Sequence, residues 1–237
     1  MSLRYLSEVD STNSWLIRNV AQLEDGDAVY TDNQTAGRGR KGRVWENLPG
    51  GMLCLSMLIR RPLADPATLP LLSSLAAADA VSTLCGRPGE IKWPNDLLLG
   101  GKKICGILCE SLQAGDSACY ITGIGINLAQ PAGFFVQRGI PHGGSIFSVT
   151  GVRSTLDDAA QALYTALNRR IAAFAEGGFA AIAAEYRAAC VNLGREVWTD
   201  TLRGVAAAVD DAGRLVVRTE TGETAVFTGE VTVRGIY

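Results

Sequence analysis

Gly37-Arg38-Gly39-Arg40-Lys41-Gly42-Arg43 places four cations and three glycines in seven consecutive residues. Glycine permits positive φ and close backbone approach, so successive N–H groups in such a loop can converge on one anion. Arginine adds a planar fork of donors that fits phosphate or carboxylate. The chemistry this predicts is recognition of a small phosphate- or carboxylate-bearing ligand. Ordering such a loop costs entropy, so it is expected to settle when ligand arrives. A solvated basic loop and a nucleic-acid contact are the competing readings. Charge disfavours the second: the chain carries 22 Lys+Arg against 24 Asp+Glu, and without this loop the remainder is −6, with no second basic stripe. G-x-G-x-x-G spacing is formally present at 37, 39 and 42. Cations fill its gaps and no helical pattern follows, so it is neither a dinucleotide fingerprint nor a Walker A loop.

A second candidate is the lysine of Ile91-Lys92-Trp93-Pro94-Asn95-Asp96. Pro94 biases Trp93 toward extended backbone and stiffens the turn. A lysine held there could reach inward to an anionic oxygen; a surface lysine beside a packed tryptophan is the plainer alternative. Asp96 reads as a turn cap, and Lys102-Lys103 as solvated charge on a hairpin tip. Gly106, Gly123 and Gly125 interrupt two apolar strand-like runs. Interior strand glycine marks a bulge, tight packing or a ligand lying against the backbone, and two neighbouring strands with it suggest a flat binding floor.

Several chemistries are excluded by what is scarce. His142 is the one histidine, so a Ser-His-Asp triad, a Cys-His dyad or a multi-histidine metal site would have to be built around it. The six cysteines, at 54, 85, 105, 109, 119 and 190, form no C-x-x-C pair. Buried free thiols in a reducing compartment are expected, and no metal site. No uninterrupted apolar stretch approaches the roughly 18–20 residues of a membrane span. Met1-Ser2-Leu3-Arg4 lacks the apolar core of a signal peptide. A soluble cytoplasmic protein without a membrane partner is the expectation.

These residues need elements to hold them. Asp10-Ser11-Thr12-Asn13 are N-capping types ahead of a helical pattern. Strands are expected at 27–31, 52–59 and 89–92, and a hairpin over 97–110 turning at Gly100-Gly101. A further strand is expected at 118–128 and a loop over 129–153. A helix is expected from Pro66 to about Cys85, capped by Asp65 and stopped by Gly86. Leu156 to Phe174 recurs at spacings of 3 and 4, and a second helix covers about 178–189. From Gly194 five short strands joined by tight turns read as a small barrel. The ordering favours α+β, with units at 1–190 and 191–237.

Five segments together resemble the biotin–protein ligase family, in its order and across the whole chain. They are Asp10–Asn13, Gln34–Trp45, Lys92–Asp96, Lys103–Leu108 and Gly123–Asn127. The resemblance implies a mixed-sheet, class II synthetase-like catalytic domain with a small C-terminal SH3-like β-barrel. It implies that biotin and MgATP give biotinyl-5′-AMP, which acylates a lysine of a biotin carboxyl carrier domain. Biotin-binding positions carried over are Ser11, Thr12, Gln34, Gly37, Arg38, Lys92, Gly106 and Gly125. Adenylate positions are Arg38, Arg40, Arg43, Trp45, Lys92 and Asn127. Lys92, Arg38 and Arg40 are the implied catalytic groups, and Mg²⁺ would be held mainly by substrate phosphates. Cations that stabilise phosphate charge need no proton-transfer histidine.

The sequence departs from the family pattern at 46–52, where no residue is carried over, and at Cys105, where a small residue is usual. Members with an N-terminal winged-helix DNA-binding domain have more chain before the first motif, so no nucleic-acid partner is expected. A lipoate or octanoyl ligase or transferase of related fold, and a non-catalytic biotin-binding module, are the alternatives. Monomer and homodimer stay open.

Overall fold

The computed structural model describes residues 1–46, 48–114, 117–227 and 229–237; Asn47, in the departing 46–52 stretch, lies outside them. In chain order the strands are β1 (Leu3–Tyr5), β2 (Ala28–Thr31), β3 (Met52–Ile59), β4 (Glu90–Lys92), β5 (Asp96–Leu99), β6 (Lys102–Ala114), β7 (Ser117–Asn127), β8 (Glu196–Trp198), β9 (Arg203–Val209), β10 (Leu215–Thr219), β11 (Gly222–Val226) and β12 (Thr232–Val233). The helices are α1 (Thr12–Asn19), α2 (Leu69–Cys85), α3 (Ala132–Gln137), α4 (Ile146–Thr150), α5 (Leu156–Gly177) and α6 (Ala183–Ala189).

All eight residues of β3 are buried, which explains its nearly unbroken apolar run. Side chains alternate across a strand, so β3 has two roles. Leu53, Leu55, Met57 and Ile59 join the main core with α2 and α5. Leu58 faces the other way, into a smaller cluster with Leu16 of α1 and Ile121 of β7. Cys54 and Ser56 share that second face. The large sheet runs β1-β2-β3-β7-β6-β5-β4, with β1 and β2 parallel and the remaining pairs antiparallel. This is the mixed-sheet α+β architecture expected.

Register decides what the second face carries. Cys54 sits opposite Gly125, and Gly125 opposite Gly106. The next row holds Ser56, Gly123 and Leu108. Three glycines and two small polar side chains thus share one patch of a three-strand surface. Each lacks or nearly lacks a side chain, so the patch is a shallow floor and not another packed core.

Several expectations on element ends are corrected. Pro66–Thr68 is a separate 3₁₀ turn before α2, and Asp65 makes no side-chain cap to the backbone; its carboxylate accepts from Thr68 Oγ1 at 3.0 Å. Gly86 does stop α2, at φ 69°. From Pro66 to Cys85 the segment is long and apolar enough to cross a membrane, against expectation, but 61% of its most apolar 18-residue window is buried within the protein. Residues 129–153 are not all loop: α3 and α4 lie there. The first is only six residues and the second five, too short for a periodic signal. Ser145 and Ser148 form a capping box that starts α4.

The smaller sheet is antiparallel, in the order β11-β10-β9-β8-β12. Val197, Ala206, Leu215, Val217 and Val233 extend the same core that the large sheet builds. The two sheets are joined at the Trp93 turn. Trp93 N–H donates to Asn192 Oδ1 at 2.7 Å, and its indole Nε1–H donates to the Gly213 carbonyl at 3.0 Å. Val191 N–H donates to the Ile91 carbonyl at 2.9 Å, so the chain leaving α6 runs beside β4. The Trp93–Pro94 bond is cis.

Trp93 is 1% exposed and carries the indole bond between the sheets. Trp93→Phe keeps most of the apolar bulk and leaves the Gly213 carbonyl unpaired. A loss of about 1–3 kcal/mol is expected in urea unfolding, with faster amide exchange in residues 196–233 than in β3.

Candidate active site

A cleft of about 360 Å³ lies over the glycine floor, between the large sheet, the basic loop and the smaller sheet. Ser11, Thr12, Gln34, Arg38, Arg40, Arg43, Trp45, Lys92, Gly106 and Gly125 all line it. Nearly every residue singled out in the sequence therefore converges. Gly37 does not; it is buried beneath the loop, where a Cβ would meet the Trp45 carbonyl at 2.8 Å. Asn127 is also outside. Its Nδ2 donates to the Gly144 carbonyl at 2.9 Å and its Oδ1 accepts from Gln130 at 3.0 Å, so here its side chain braces the 129–145 segment.

One end of the cleft is a buried polar network. Thr12 N–H and Oγ1–H both donate to Gln34 Oε1, at 2.9 and 3.1 Å. Ser56 Oγ lies 2.7 Å from Thr12 Oγ1 and 2.5 Å from Asn13 Oδ1. Asn13 Nδ2 donates to Glu110 Oε2 at 2.7 Å and to the Leu108 carbonyl at 3.2 Å. Ser11 caps α1, its hydroxyl accepting from Ser14 N–H at 3.5 Å. A hydroxyl, a hydroxyl and two amides at the edge of an apolar floor suit a compact ligand with several donors and acceptors. Asn13 and Ser56 were not singled out. Ser56 has a readable signal, being the one hydroxyl inside Met52–Ile59.

Trp45 lies on the floor itself. A Cβ on Gly125 would come within 2.6 Å of its indole, and one on Gly106 within 2.8 Å. Gly123 is required by a different neighbour: a Cβ there would sit 2.1 Å from Asn13 Oδ1. The aromatic expected on the nucleotide side and the glycines expected on the other side thus meet at one place.

The basic loop is folded back on itself. Gly39 N–H donates to the Arg43 carbonyl at 2.7 Å and Trp45 N–H to the Gly37 carbonyl at 3.0 Å. Lys41 takes the left-handed conformation at φ 55°, which costs a residue with a Cβ about 1 kcal/mol. Each cation has a partner. Arg38 grips Glu110 with two bonds of 3.1 and 2.8 Å. Arg40 Nη1 donates to Asn95 Oδ1 at 2.6 Å. Arg43 pairs with Glu230 at 2.5 Å, and Lys41 with Asp200 at 3.8 Å. Glu230 and Asp200 belong to the smaller sheet's segment, so the loop bridges both sheets.

Lys92 ends β4 at the opposite wall, 7% exposed. Burial brings its pKa down to about 8, against the pull of Asp96. Asp96 accepts from Tyr237 Oη at 2.9 Å and pairs with Lys103 at 2.7 Å. This corrects two expectations. Lys103 is not solvated charge but an ion-pair partner inside the cleft, and Asp96 ties Tyr237 to Lys103 instead of capping a turn. Lys102 does lie outward, donating to the Pro141 carbonyl at 2.8 Å. The His142 ring stacks on Tyr237 with centroids 4.2 Å apart; burial first, then Lys103, lowers its pKa, so it is neutral at pH 7.

All six cysteines are free, as expected. Burial raises the Cys54 and Cys105 thiols far above neutrality, so neither is a nucleophile there. Among the described residues no three metal-ligating side chains cluster. What remains is a cleft with a polar recess, an apolar floor and cations from two sides, which is a site for a ligand with a compact polar head and a phosphate.

Residues 5–127 match the Biotin/lipoate A/B protein ligase family. A biotin–acetyl-CoA-carboxylase ligase from Paracoccus denitrificans is 33% identical over 237 residues, covering 95% of this chain and 98% of that protein. The biotin protein ligase of Aquifex aeolicus, solved in complex with biotin and ATP, superposes with a TM-score of 0.84 at 27% identity over 98% of both chains. That of Leishmania major, in complex with biotinyl-5-AMP, gives 0.65 at 26% identity over 95% of this chain and 98% of the other.

Gly125→Ala should displace the Trp45 ring, since the new methyl would lie within 2.6–2.8 Å of three indole atoms. The tryptophan emission that is lost in Trp45→Phe is expected to shift red in Gly125→Ala. Emission unchanged from wild type would show that the ring does not rest on this glycine.

Proposed function

Because the chain belongs to the biotin/lipoate A/B protein ligase family, we infer that it is a biotin–protein ligase, which activates biotin with ATP to biotinyl-5′-AMP and passes the biotinyl group to a lysine of a biotin carboxyl carrier protein. The observation that carries this reading is the pairing of the polar recess at Thr12 and Gln34 with a buried lysine and a basic loop, one cleft apart. A ligand that was only bound and not activated would need the recess and floor alone.

The chemistry assigned to the residues is electrostatic. The biotin carboxylate oxygen attacks the α-phosphorus of ATP, and the bond from that phosphorus to the pyrophosphate oxygen breaks. Negative charges are forced together and then move onto the leaving group. Lys92, with its pKa lowered to about 8, is still mostly charged at pH 7 and stands where the carboxylate and α-phosphate would meet. Arg38, Arg40 and Arg43 are assigned to the phosphates, exchanging Glu110, Asn95 and Glu230 for phosphate oxygens. In the second step the ε-amine of the carrier lysine attacks the acyl carbon, AMP leaves, and one proton is released to water. Ser11, Thr12, Gln34 and Asn13 are assigned to the ureido head, and Gly106, Gly125 and Trp45 to the apolar body of the ligand. Gly37 is assigned the shape of the loop and Asn127 the support of the nucleotide side.

Mg²⁺ accompanies ATP in this reading. Among the described residues the cleft offers scattered carboxylates and no preformed cage, a donor set that fits an ion held chiefly by phosphates. Glu230, which lines the cleft, is the carboxylate that would be free to complete its shell once Arg43 turns to phosphate, and the ion would neutralise phosphate charge. Residues 1–190 are read as the substrate-binding unit and 191–237 as the small unit docked upon it. A cytoplasmic setting, without nucleic-acid or membrane partners, completes the proposal.

The test is incubation with biotin, MgATP and a carrier domain. Wild type is expected to label one carrier lysine, and an unlabelled carrier would sink the assignment. Lys92→Ala should slow pyrophosphate release by about 100-fold or more while the fold melts within a few degrees of wild type. The wild-type rate of adenylate formation should fall as pH rises through about 8, where Lys92 loses its charge. A rate flat to pH 10 would remove that charge from the mechanism.

A further inference from the structure

Tyr237 was not singled out by any sequence pattern, yet it reaches the chemistry. Its ring lies beneath the Lys92 ammonium, with Nζ 4.3 Å from the centroid. Its hydroxyl donates to Asp96 Oδ2 at 2.9 Å, and the ring stacks on His142. Tyr237 itself is fixed by the segment after β12: Val233 N–H donates to its carbonyl at 3.0 Å, and Ile236 N–H to the Val233 carbonyl at 3.0 Å. The smaller sheet therefore contributes a side chain that touches a cation assigned to catalysis.

Three physical effects meet in that contact. A cation over an aromatic face is attracted by the ring quadrupole, more strongly where water is excluded. The ring also blocks water from the ammonium, and burial is the main reason the Lys92 pKa falls to about 8. The hydroxyl fixes one oxygen of Asp96 while Lys103 holds the other. A flat ring under Nζ restricts a long side chain that would otherwise sample many rotamers.

We infer that Tyr237 is a positioning residue: its ring orients the Lys92 ammonium toward the reacting carboxylate and phosphate. This deepens the ligase reading and rests on the assignment of Lys92. The groups facing Lys92 are Asp96 of β5, Lys103 of β6, Arg43 of the loop, Glu230 before β12, and Tyr237. His142, neutral at pH 7, stands behind the ring and carries no charge into the balance.

Two replacements separate ring electrostatics from simple filling. Tyr237→Phe keeps the ring and loses the hydroxyl, while Lys103 still holds Asp96. Tyr237→Leu keeps much of the burial and loses the quadrupole. With biotin and MgATP, Phe is expected to retain pyrophosphate release within about threefold. Leu is expected to lower kcat about tenfold or more with the KM for biotin little changed, and to move the alkaline limb down by about one pH unit, because burial persists while the ring's support of the charge is gone. A ¹³C-lysine NMR titration of Lys92 in the full chain reads the same order, wild type and Phe above Leu, whether or not Leu turns over. Equal rates and equal Lys92 titrations in Phe and Leu would overturn the inference and leave Tyr237 a space filler. If wild type itself made no adenylate, the ligase reading would fail, and the titration alone would still decide the role of the ring.

Discussion

Lys92 holds an ammonium at 7% exposure, and much of the molecule is arranged by the cost of that position. Burial lowers its pKa from 10.5 to about 8, a penalty on the order of 3 kcal/mol for keeping the charged form in the folded protein. The penalty is present in full below pH 8 and is relieved between 8 and 10.5, where the unfolded chain still holds the proton and the folded one does not. A fold would keep such a group only if something compensates. Asp96, the ring of Tyr237 and the Trp93 turn all do so, and all three depend on the seam between the two sheets. Trp93 is tied to Gly213 and Asn192, and Tyr237 is tied to Val233. Core packing of Val197, Leu215 and Val217 against the large sheet is thus what keeps a cation available in a water-poor cleft.

The opposite wall solves a different problem with opposite means. There the sheet must approach a ligand closely, and it does so by deleting side chains. Gly106 and Gly125 stand opposite one another in register and carry the Trp45 ring, while Gly123 makes room for Asn13. β3 supports this from within, with Leu53, Leu55 and Met57 in the core and Cys54 and Ser56 on the floor. One strand therefore couples stability on one face with recognition on the other. Substitutions at its odd and even positions should have separable consequences for that reason.

Much of this was legible in the sequence because it rests on local chemistry. The basic loop, the lysine before Pro94, the interrupted strands and the hairpin at Gly100-Gly101 are each encoded within a few residues. Strands β2 to β7 follow from apolar runs and turn residues, α2 from its Ala/Leu-rich composition and α5 from its spacing, whereas β1, three residues long, left no signal. What was not legible depends on distance along the chain. Glu110 meets Arg38 from 72 residues away, and Tyr237 meets Asp96 from 141. Lys103 looked solvated because a hairpin tip normally is; here β5 and β6 bend it back over the cleft, beside Asp96. α3 and α4 escaped because helices of five and six residues complete too few turns to show a repeat. The Asp65 cap failed because Pro66–Thr68 forms a 3₁₀ turn that α2 then continues.

The pairing of the loop with carboxylates bears on how the site can open and fill. Arg38–Glu110 and Arg43–Glu230 involve side chains that are between 25% and 68% exposed. Exposed pairs of this kind contribute about 0–1 kcal/mol each, so they hold the loop without committing it. A triphosphate presents more charge and more acceptor oxygens than one carboxylate, in the same planar geometry that arginine favours. In the proposed reading, Arg38 and Arg43 exchange these carboxylates for phosphate oxygens when a nucleotide occupies the cleft. The carboxylates shape the loop beforehand, which reduces the ordering cost that binding must meet. Because Glu230 and Asp200 sit on the smaller sheet's segment, that preorganisation also requires the seam at Trp93 and Tyr237. Loop, lysine and docked sheet are thus linked: Arg43 and Lys41 of the loop and the ring under Lys92 all take a partner from the smaller sheet's segment.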